Sequence, residues 1–336
     1  SSGRPLNDLP SVSERMPEIK ASAFWRGRRP YISTSVPLLA SVGCPYTCNF
    51  CTDWDNPYAL LPLDRLEADL RYVSERLPNV KVSFHDPNFA VKFDQTLDVL
   101  ERLPQEARSP YIMESSLSVV RGPRLERLRD TNCIYIAPGI ESWSSYSNKA
   151  GVGRNTGSRK VQLVAEHLDQ LHTYVPGIQA NFMFGVDDDE GDEPVELTTE
   201  FMRRTPYAWP VINIPVPFGG TPLYDEYIET GRILRTMPFT FYYFPYLAAT
   251  LKHYDPITYY RKLTEMLIYA STLKMLRERL RTTPNWSVRL LHTVRTFHAW
   301  GGIRKCQQIL EMMETDTEFR AFHEGESAGL PEFYHQ

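Results

Sequence analysis

The chain has 336 residues, a formal net charge of −4 and a sequence pI near 6.1. Hydrophobic residues make up 42% and charged residues 23% of it, which is typical of a globular protein with a large core. This weakly acidic balance gives no electrostatic case for nucleic-acid or membrane partners, and no apolar run reaches bilayer length. There is no apolar signal segment, and an odd number of cysteines with one tight cluster argues against a disulfide framework, so we expect a reducing, cytoplasmic location.

From residue 34 to residue 230, short apolar runs alternate with segments of helical periodicity, which predicts a series of βα units. The predicted strands are Thr34 to Ala40, Val80 to Phe84, Tyr111 to Met113, Cys133 to Ala137, Ile178 to Phe184 and Val211 to Val216. Predicted helices lie between them, near residues 63–77, 93–100, 125–128, 161–171 and 195–204. Such a series gives an α/β fold with a parallel sheet, open or curled toward a barrel. In either form ligands bind at the carboxyl ends of the strands.

The chain divides into three parts on this pattern: an N-terminal segment 1–33, the βα core 34–230, and a mainly helical C-terminal extension 231–336. Helices are predicted in the extension over residues 257–281, 288–300 and 303–324. The aromatic stretch Phe239 to Tyr246 either lines an apolar substrate pocket or packs between the core and the extension.

Three cysteines, Cys44, Cys48 and Cys51, lie within eight residues, directly after the first predicted strand. A structural zinc site normally has four protein ligands in two separated pairs, and here only His85 could complete such a site. A [4Fe-4S] cluster with one iron left open explains three thiolates better. Phe50, next to the last cysteine, would shield the cluster from water. The other two cysteines fall in a predicted strand and a predicted helix and are expected to be reduced core residues.

The spacing CxxxCxxC in the stretch GCPYTCNFC, with an aromatic residue before the last cysteine, resembles that of the radical S-adenosylmethionine (radical SAM) enzymes. The resemblance covers about residues 34–230. It implies a partial (β/α)6 TIM-like barrel and an oxygen-sensitive [4Fe-4S] cluster whose open iron binds SAM. In this family one-electron reduction cleaves SAM to methionine and a 5'-deoxyadenosyl radical, which abstracts hydrogen from an organic substrate. A reductant such as flavodoxin or ferredoxin is implied as a partner.

The resemblance also assigns residues to SAM, within GIESWSSYSNKAG and two other strand-end segments. Glu141 would bind the ribose hydroxyls, and Lys149 would reach the carboxylate of SAM. Main chain near Asp86 would face the SAM amino group, although the glycines usual in that motif are absent. Main chain around Phe184 and Gly185 would contact the adenine.

Three further residues are candidates for catalysis. Asp53 follows the cluster loop and would line the substrate space. Glu114, after the third predicted strand, either contacts SAM or the substrate or is a buried carboxylate satisfied by its neighbours. His85 is either a proton donor or an ordinary loop histidine. The acidic run at residues 187–193 is interpreted as a solvated loop leading into a helix N-terminus.

The strand-end segments resemble most the subgroup that carries a cobalamin-binding domain, which favours a methyl transfer or a ring-forming reaction. About 40 residues precede Cys44 and no DxHxxG motif occurs, so this sequence by itself does not support bound cobalamin. A small-molecule substrate of apolar character is expected from the aromatic C-terminal region. The alternative function is a non-catalytic iron-sulfur electron-transfer or sensor protein, and the lack of a nearby fourth cysteine argues against it.

Overall fold

The computed structural model describes residues 9–22, 25–26, 29–30, 35–78, 80–147 and 149–335. Thr34 and Asn148, which belong to the first predicted strand and to the GIESWSSYSNKAG segment, lie outside the described residues, as do parts of the N-terminal segment. The chain forms two compact units. The first comprises residues 1–47, 55–138 and 170–178, and the second comprises residues 48–54, 139–169 and 179–336.

The first unit alternates strands and helices. Its elements are α1 (Met16–Ser22), β1 (Trp25–Arg26), β2 (Arg29–Pro30), β3 (Ser35–Leu38), β4 (Ser41–Val42), β5 (Ala59–Leu60), α2 (Leu63–Arg76), β6 (Lys81–Phe84), α3 (Phe93–Glu101), β7 (Tyr111–Glu114), α4 (Arg124–Asp130) and β8 (Cys133–Ala137). In α2 the residues Leu66, Leu70 and Val73 are buried, as their spacing of three and four predicts. The apolar run of β8 is almost wholly buried, which is usual for a strand inside a parallel sheet.

Helices predominate in the second unit. Its elements are β9 (Gly139–Glu141), α6 (Glu193–Arg204), β11 (Ala208–Asn213), α7 (Pro222–Glu229), α8 (Pro256–Ala270), α9 (Leu273–Thr282), α10 (Trp286–Thr315) and α11 (Thr317–His323). Two elements contribute residues to both units, α5 (Gly157–His172) and β10 (Gly177–Met183). Strand β9 and helix α7 are additions to the predicted pattern.

Parallel pairing is the rule among the core strands. Within the first unit β3 pairs with β6, β6 with β7, β7 with β8, and β8 with the first residues of β10, all in parallel. Within the second unit β10 pairs in parallel with β9 and has β11 as a further neighbour. The expected α/β fold with a parallel sheet and a helical C-terminal region is therefore confirmed. Within each unit, the loops that follow neighbouring parallel strands lie at the carboxyl ends of those strands, where a ligand is expected.

The predicted helices of the C-terminal extension are wrong at their boundaries. The segment 257–281 is divided into α8 and α9 at Thr272, whose hydroxyl accepts the N–H of Met275 and starts a new helix. The two helices predicted on either side of Gly301 and Gly302 are one continuous helix, α10. A β-carbon at Gly302 would lie 3.3 Å from the ring of Phe244, so this glycine serves a close contact and does not end the helix.

Side chains from the loop after β10, from β11 and from the C-terminal helices form a large hydrophobic core of the second unit. It includes Phe184, Ile212, Tyr259, Leu263 and Ile309. Tyr242 and Tyr246 of the aromatic stretch belong to it, whereas Phe239 and Tyr243 are more than half exposed. In the part of the chain that the structure describes, no helix is both long and apolar enough to cross a membrane.

Candidate active site on the strand-end loops

The cysteine segment begins in a tightly closed loop of the first unit. Strands β4 and β5 pair antiparallel and close the base of this loop. Cys44 donates its N–H to the carbonyl of Asn56 at 3.1 Å. Gly43 has φ +66°, and a β-carbon there would lie 2.4 Å from the carbonyl oxygens of Asn56 and Pro57. Only glycine fits this approach, which fixes the direction in which the chain enters the cysteine segment.

Residues 48–54 are anchored within the second unit by three hydrogen bonds. The N–H of Leu223 donates to the carbonyl of Asn49 at 3.0 Å, and the indole N–H of Trp54 donates to the carbonyl of Gly220 at 2.9 Å. The hydroxyl of Tyr146 donates to the side-chain oxygen of Asn49 at 2.8 Å. The turn that carries Cys48 and Cys51 is thus held at its start and at its end.

The sulfurs of Cys44 and Cys51 accept hydrogen bonds. The side-chain amide of Asn88 donates to the Cys44 sulfur at 3.8 Å, and the N–H of Asp53 donates to the Cys51 sulfur at 3.5 Å. Such donors stabilise thiolate ligands and raise the reduction potential of an iron-sulfur cluster. In contrast, burial raises the pKa of both Cys133 and Cys306 to about 12, so these two stay protonated in the core, as expected.

No disulfide joins any of the five cysteines. Among the described residues, no group of three or more His, Cys, Asp or Glu side chains lies close enough to hold a metal ion as the structure stands. This includes the three loop cysteines, so their assignment to a cluster remains a prediction. The donor set nevertheless suits a cluster, because it consists of three thiols on one short segment, and N–H donors meet the sulfurs of Cys44 and Cys51.

The main chain near Asp86 is expected to face the SAM amino group. The side chain of Asp86 has a structural role. The carboxylate is buried and accepts the N–H of Ala40 at 3.1 and 3.2 Å and the hydroxyl of Ser41 at 2.5 Å. Burial raises the pKa of Asp86 to about 6, and these hydrogen bonds oppose the rise. Asp86 therefore holds the residues that lead from β3 into the cysteine segment, and any contact of its main chain with SAM stays a prediction.

Asn88 is a site residue that the sequence interpretation missed. Its side chain is buried, and its oxygen accepts the N–H of Ser116 at 3.0 Å, while its amide reaches the Cys44 sulfur. Asn88 thus connects the loop after β6, the loop after β7 and the first cysteine. The signal in the sequence was weak, since a lone asparagine in HDPNF looks like an ordinary turn residue.

Glu141, Lys149 and Phe50 come together in the second unit. The Lys149 ammonium nitrogen lies 3.6 Å from the Glu141 carboxylate and 5.8 Å from the centre of the Phe50 ring. Phe50 in turn stacks on Tyr146 at 5.8 Å. Both charged side chains are mostly buried, and Glu141 has an unusual φ of +68°. Glu141 and Lys149, both expected to bind SAM, therefore form an ion pair, and this pair lies over the ring of Phe50 in the cysteine segment.

Lys160 supports the loop that carries this ion pair. Its ammonium group donates to the carbonyl of Ser144 at 2.8 Å and to that of Ser147 at 3.5 Å. Burial lowers the pKa of Lys160 to about 8, and the charge of Glu141 opposes this. No sequence pattern indicates this role, because Lys160 looks like a solvated residue of α5.

The loop after β10 is organised by a buried acidic residue. Asp189 accepts the N–H of Gly185 at 2.8 Å and the hydroxyl of Ser142 at 3.3 Å, and burial raises its pKa to about 6. The interpretation of residues 187–193 as a solvated loop is wrong for Asp189, which is 4% exposed. It is also wrong for Asp187, which forms an ion pair with Arg232 at 2.7 Å. Asp187 and Asp189 therefore stabilise the loop after β10.

The main chain of Phe184 and Gly185 is expected to contact adenine. In the structure it forms several hydrogen bonds within the protein. The Phe184 N–H donates to the carbonyl of Asn213 at 2.9 Å, and the Phe184 carbonyl accepts the hydroxyl of Tyr259 at 2.8 Å. The rings of Phe184 and Tyr259 stack at 5.0 Å with an angle of 6°. Helix α8 of the C-terminal extension thus supports this loop directly, and the adenine contact stays a prediction.

The three catalytic candidates have different surroundings. Asp53 is half-buried in the cysteine segment, where its N–H donates to Cys51. Glu114 is the last residue of β7, and its side chain is exposed. The alternative that Glu114 is a buried carboxylate satisfied by its neighbours is therefore not supported. His85 is exposed and lines a cavity of about 490 Å³ together with apolar residues such as Leu39 and Leu61. No catalytic role follows from these positions.

Known proteins similar to this chain are methyltransferases. The chain is 28% identical over 206 residues to bacteriochlorophyllide d C-12(1)-methyltransferase of Chlorobaculum tepidum, a match covering 60% of the chain and 44% of that protein. It is 23% identical over 275 residues to bacteriochlorophyllide d C-8(2)-methyltransferase of the same organism, covering 77% and 59%. The chain thus spans about half the length of the curated relatives that it matches. No protein-family model matches it.

A solved structure shares the fold. OxsB, described as a cobalamin-dependent S-adenosylmethionine radical enzyme with aqua-cobalamin bound, matches with a TM-score of 0.50 and 15% identity. This match covers 84% of the chain and 48% of OxsB. In fold the chain is therefore similar to a radical SAM enzyme, and in sequence to methyltransferases, which confirms the resemblance expected from its cysteine loop.

Proposed function

We propose that this chain is the catalytic core of a radical SAM enzyme that transfers a methyl group to a small, apolar substrate. Cys44, Cys48 and Cys51 would hold a [4Fe-4S] cluster. The observation that carries the proposal is the cysteine segment itself: three thiols without a fourth follow the first core strand of a radical SAM fold. When bound, such a cluster supplies the single electron that cleaves SAM, and a protein such as flavodoxin or ferredoxin would deliver that electron.

The Glu141–Lys149 pair supports a SAM site in the second unit. A carboxylate accepts hydrogen bonds from a diol, and an ammonium group attracts a carboxylate, so the two residues complement the ribose and the amino-acid part of SAM. Their mutual distance of 3.6 Å is long for a hydrogen-bonded ion pair. Phe50 below the Lys149 ammonium keeps this side chain close to the cysteine segment.

Methyl transfer rests on the names of the relatives, which are methyltransferases. The small apolar substrate rests on the aromatic C-terminal region, where Phe239 and Tyr243 are exposed. OxsB is cobalamin-dependent, so cobalamin belongs among the additives to test.

The test is an anaerobic assay. The protein is reconstituted with iron and sulfide and given SAM and dithionite, with and without cobalamin, and the products are analysed for 5'-deoxyadenosine and S-adenosylhomocysteine. We expect cluster absorption and SAM cleavage in the wild type. Cys48→Ala should lose both. Cys133→Ala is the matched control, because its thiol is buried at the start of β8, and it should leave both intact.

Three other results of this assay would change the proposed function. A cluster without any SAM cleavage would contradict the proposal and favour an iron-sulfur carrier or sensor. Zinc in place of iron in the purified protein would favour a structural metal site. Formation of 5'-deoxyadenosine without S-adenosylhomocysteine, also when cobalamin is added, would retain radical chemistry and reject the methyl-transfer class.

A further inference from the structure

Helix α10 exposes an apolar face. The side chains of Trp286, Leu290, Val294, Phe297 and Trp300 are 66%, 56%, 57%, 60% and 38% exposed. They follow one another at spacings of four, four, three and three residues, so they form one continuous stripe along the helix, which we call the apolar face. The stripe is about 21 Å long at 1.5 Å per residue.

The opposite side of the same helix is in the core. Val288, His292, Thr296, Ile303 and Cys306 are buried there. Packing against the rest of the second unit therefore needs only one side of α10 and does not explain the apolar face. Single exposed apolar residues are common on protein surfaces, but five on one stripe mark an interaction surface.

Local charge around the apolar face differs from that of the whole chain. Residues 279–310 contain six Lys and Arg residues and no Asp or Glu, whereas the chain has 37 basic and 41 acidic residues. Arg289 and Arg304 are exposed, and neither forms an ion pair within the described residues. Arg289 follows Trp286 by three residues and Arg304 follows Trp300 by four, so both lie on the side of the apolar face.

We infer that the apolar face docks on the surface of an anionic lipid bilayer, with α10 lying in the interface. A helix with apolar and aromatic residues on one side and arginines beside them binds this way, because its side chains enter the acyl region while the guanidinium groups meet lipid phosphates. Tryptophan near both ends of the stripe fits the interface, since indole combines an apolar ring with an N–H donor. Contact between the apolar faces of two copies is disfavoured, because it would bring Arg289 and Arg304 of both copies together and residues 279–310 contain no acidic residue to pair with them.

This inference is independent of the cluster and of SAM, so its test needs no catalytic activity. The full chain is mixed with vesicles of phosphatidylcholine alone or of phosphatidylcholine and phosphatidylglycerol, and bound protein is separated by flotation. We expect binding to the anionic vesicles that weakens with added salt, together with a blue shift of tryptophan emission. Absence of binding to these vesicles overturns the inference.

Matched variants locate the binding. Leu290→Ser with Phe297→Ser should reduce partitioning at least about tenfold, since it removes two large apolar side chains. Arg289→Gln with Arg304→Gln should reduce binding to anionic vesicles about fivefold per charge, without affecting residual binding to neutral ones. Phe239→Ser with Tyr243→Ser removes two aromatic side chains outside α10 that are also more than half exposed, and it should leave binding unchanged. All variants are exposed-site changes, and their melting temperatures verify folding.

Two results would overturn the assignment even if vesicles bind. Unchanged binding of the Leu290→Ser, Phe297→Ser variant would place the membrane contact elsewhere. Light scattering that shows a wild-type dimer, and a monomer for this variant, would identify the apolar face as an interface between copies of the chain.

Discussion

The Glu141 carboxylate and the Lys149 ammonium group lie 3.6 Å apart, and Gly139 makes room for both. A β-carbon on Gly139 would lie 2.3 Å from Oε1 of Glu141 and 3.4 Å from Cδ of Lys149. Two features therefore set the position of the ion pair. One is Gly139, which leaves space for both side chains, and the other is the left-handed backbone conformation of Glu141.

Gly139→Ala should displace the Glu141 side chain. We expect a loss of about 1–3 kcal/mol of stability from overpacking and, under the proposed function, at least about tenfold weaker SAM binding. Denaturant unfolding and equilibrium binding of SAM to the reconstituted protein measure the two effects. Gly219→Ala is the control, because nothing lies within 4 Å of its added β-carbon. Equal SAM affinity in both variants would show that Glu141 does not hold SAM.

Asp189 should make stability depend on pH in the acid range. Its pKa in the folded protein is about 6, above its ordinary value of 3.8, because burial disfavours the charged form. Its contribution to stability is therefore fully present below pH 3.8 and is lost as the pH rises through about 6. The shift corresponds to at most about 3 kcal/mol.

Asp189→Asn removes this titration and tests it. The difference in unfolding free energy between wild type and variant should change between about pH 4 and pH 6, in the direction of a less stable wild type at higher pH. Urea unfolding at a series of pH values measures it. Asp188→Asn, which changes an exposed neighbour, serves for comparison. A pH-independent difference would mean that Asp189 is ionised throughout this range in the folded protein.

Asn88 should tune the proposed cluster. Asn88→Ala removes the amide that donates to the Cys44 sulfur, so the midpoint potential of a bound cluster should become more negative. It should also cost about 1–3 kcal/mol, because the buried N–H of Ser116 loses its acceptor. A redox titration followed by electron paramagnetic resonance measures the potential. Ser116→Ala keeps the amide on Cys44 and should leave the potential unchanged; a shift in both variants would indicate a general loosening of the loop.

Neighbouring glycines in α10 should respond differently to alanine. Gly301→Ala should stabilise the protein by up to about 1 kcal/mol, because alanine favours the helix and its β-carbon meets nothing within 4 Å. Gly302→Ala should gain less or lose stability, since its β-carbon would press on the Phe244 ring at 3.3 Å. Urea unfolding of the two variants compares them directly, and an equal gain would show that Phe244 moves aside without cost.

Much of the core could be predicted from local patterns. Strand β8, Cys133–Ala137, has the bounds that its apolar run predicts, and α2 begins and ends within one residue of its predicted range. Strand β9 was missed because three residues after Pro138 are too few for a periodic signal. Helix α7 was missed although Thr221 and Pro222 are a start signal, and Thr221 indeed accepts the N–H of Tyr224.

The spacing of Cys44, Cys48 and Cys51 and the series of βα units can be read directly from the sequence, and together they predict the fold. These are local properties, since ligand spacing and periodicity are read along the chain. The folded chain was needed to see that Asn88 reaches a cysteine sulfur, that Asp189 is buried inside its acidic run, and that the apolar face of α10 is exposed. Burial and hydrogen-bond partners depend on which distant segments pack together, and no local pattern contains that information.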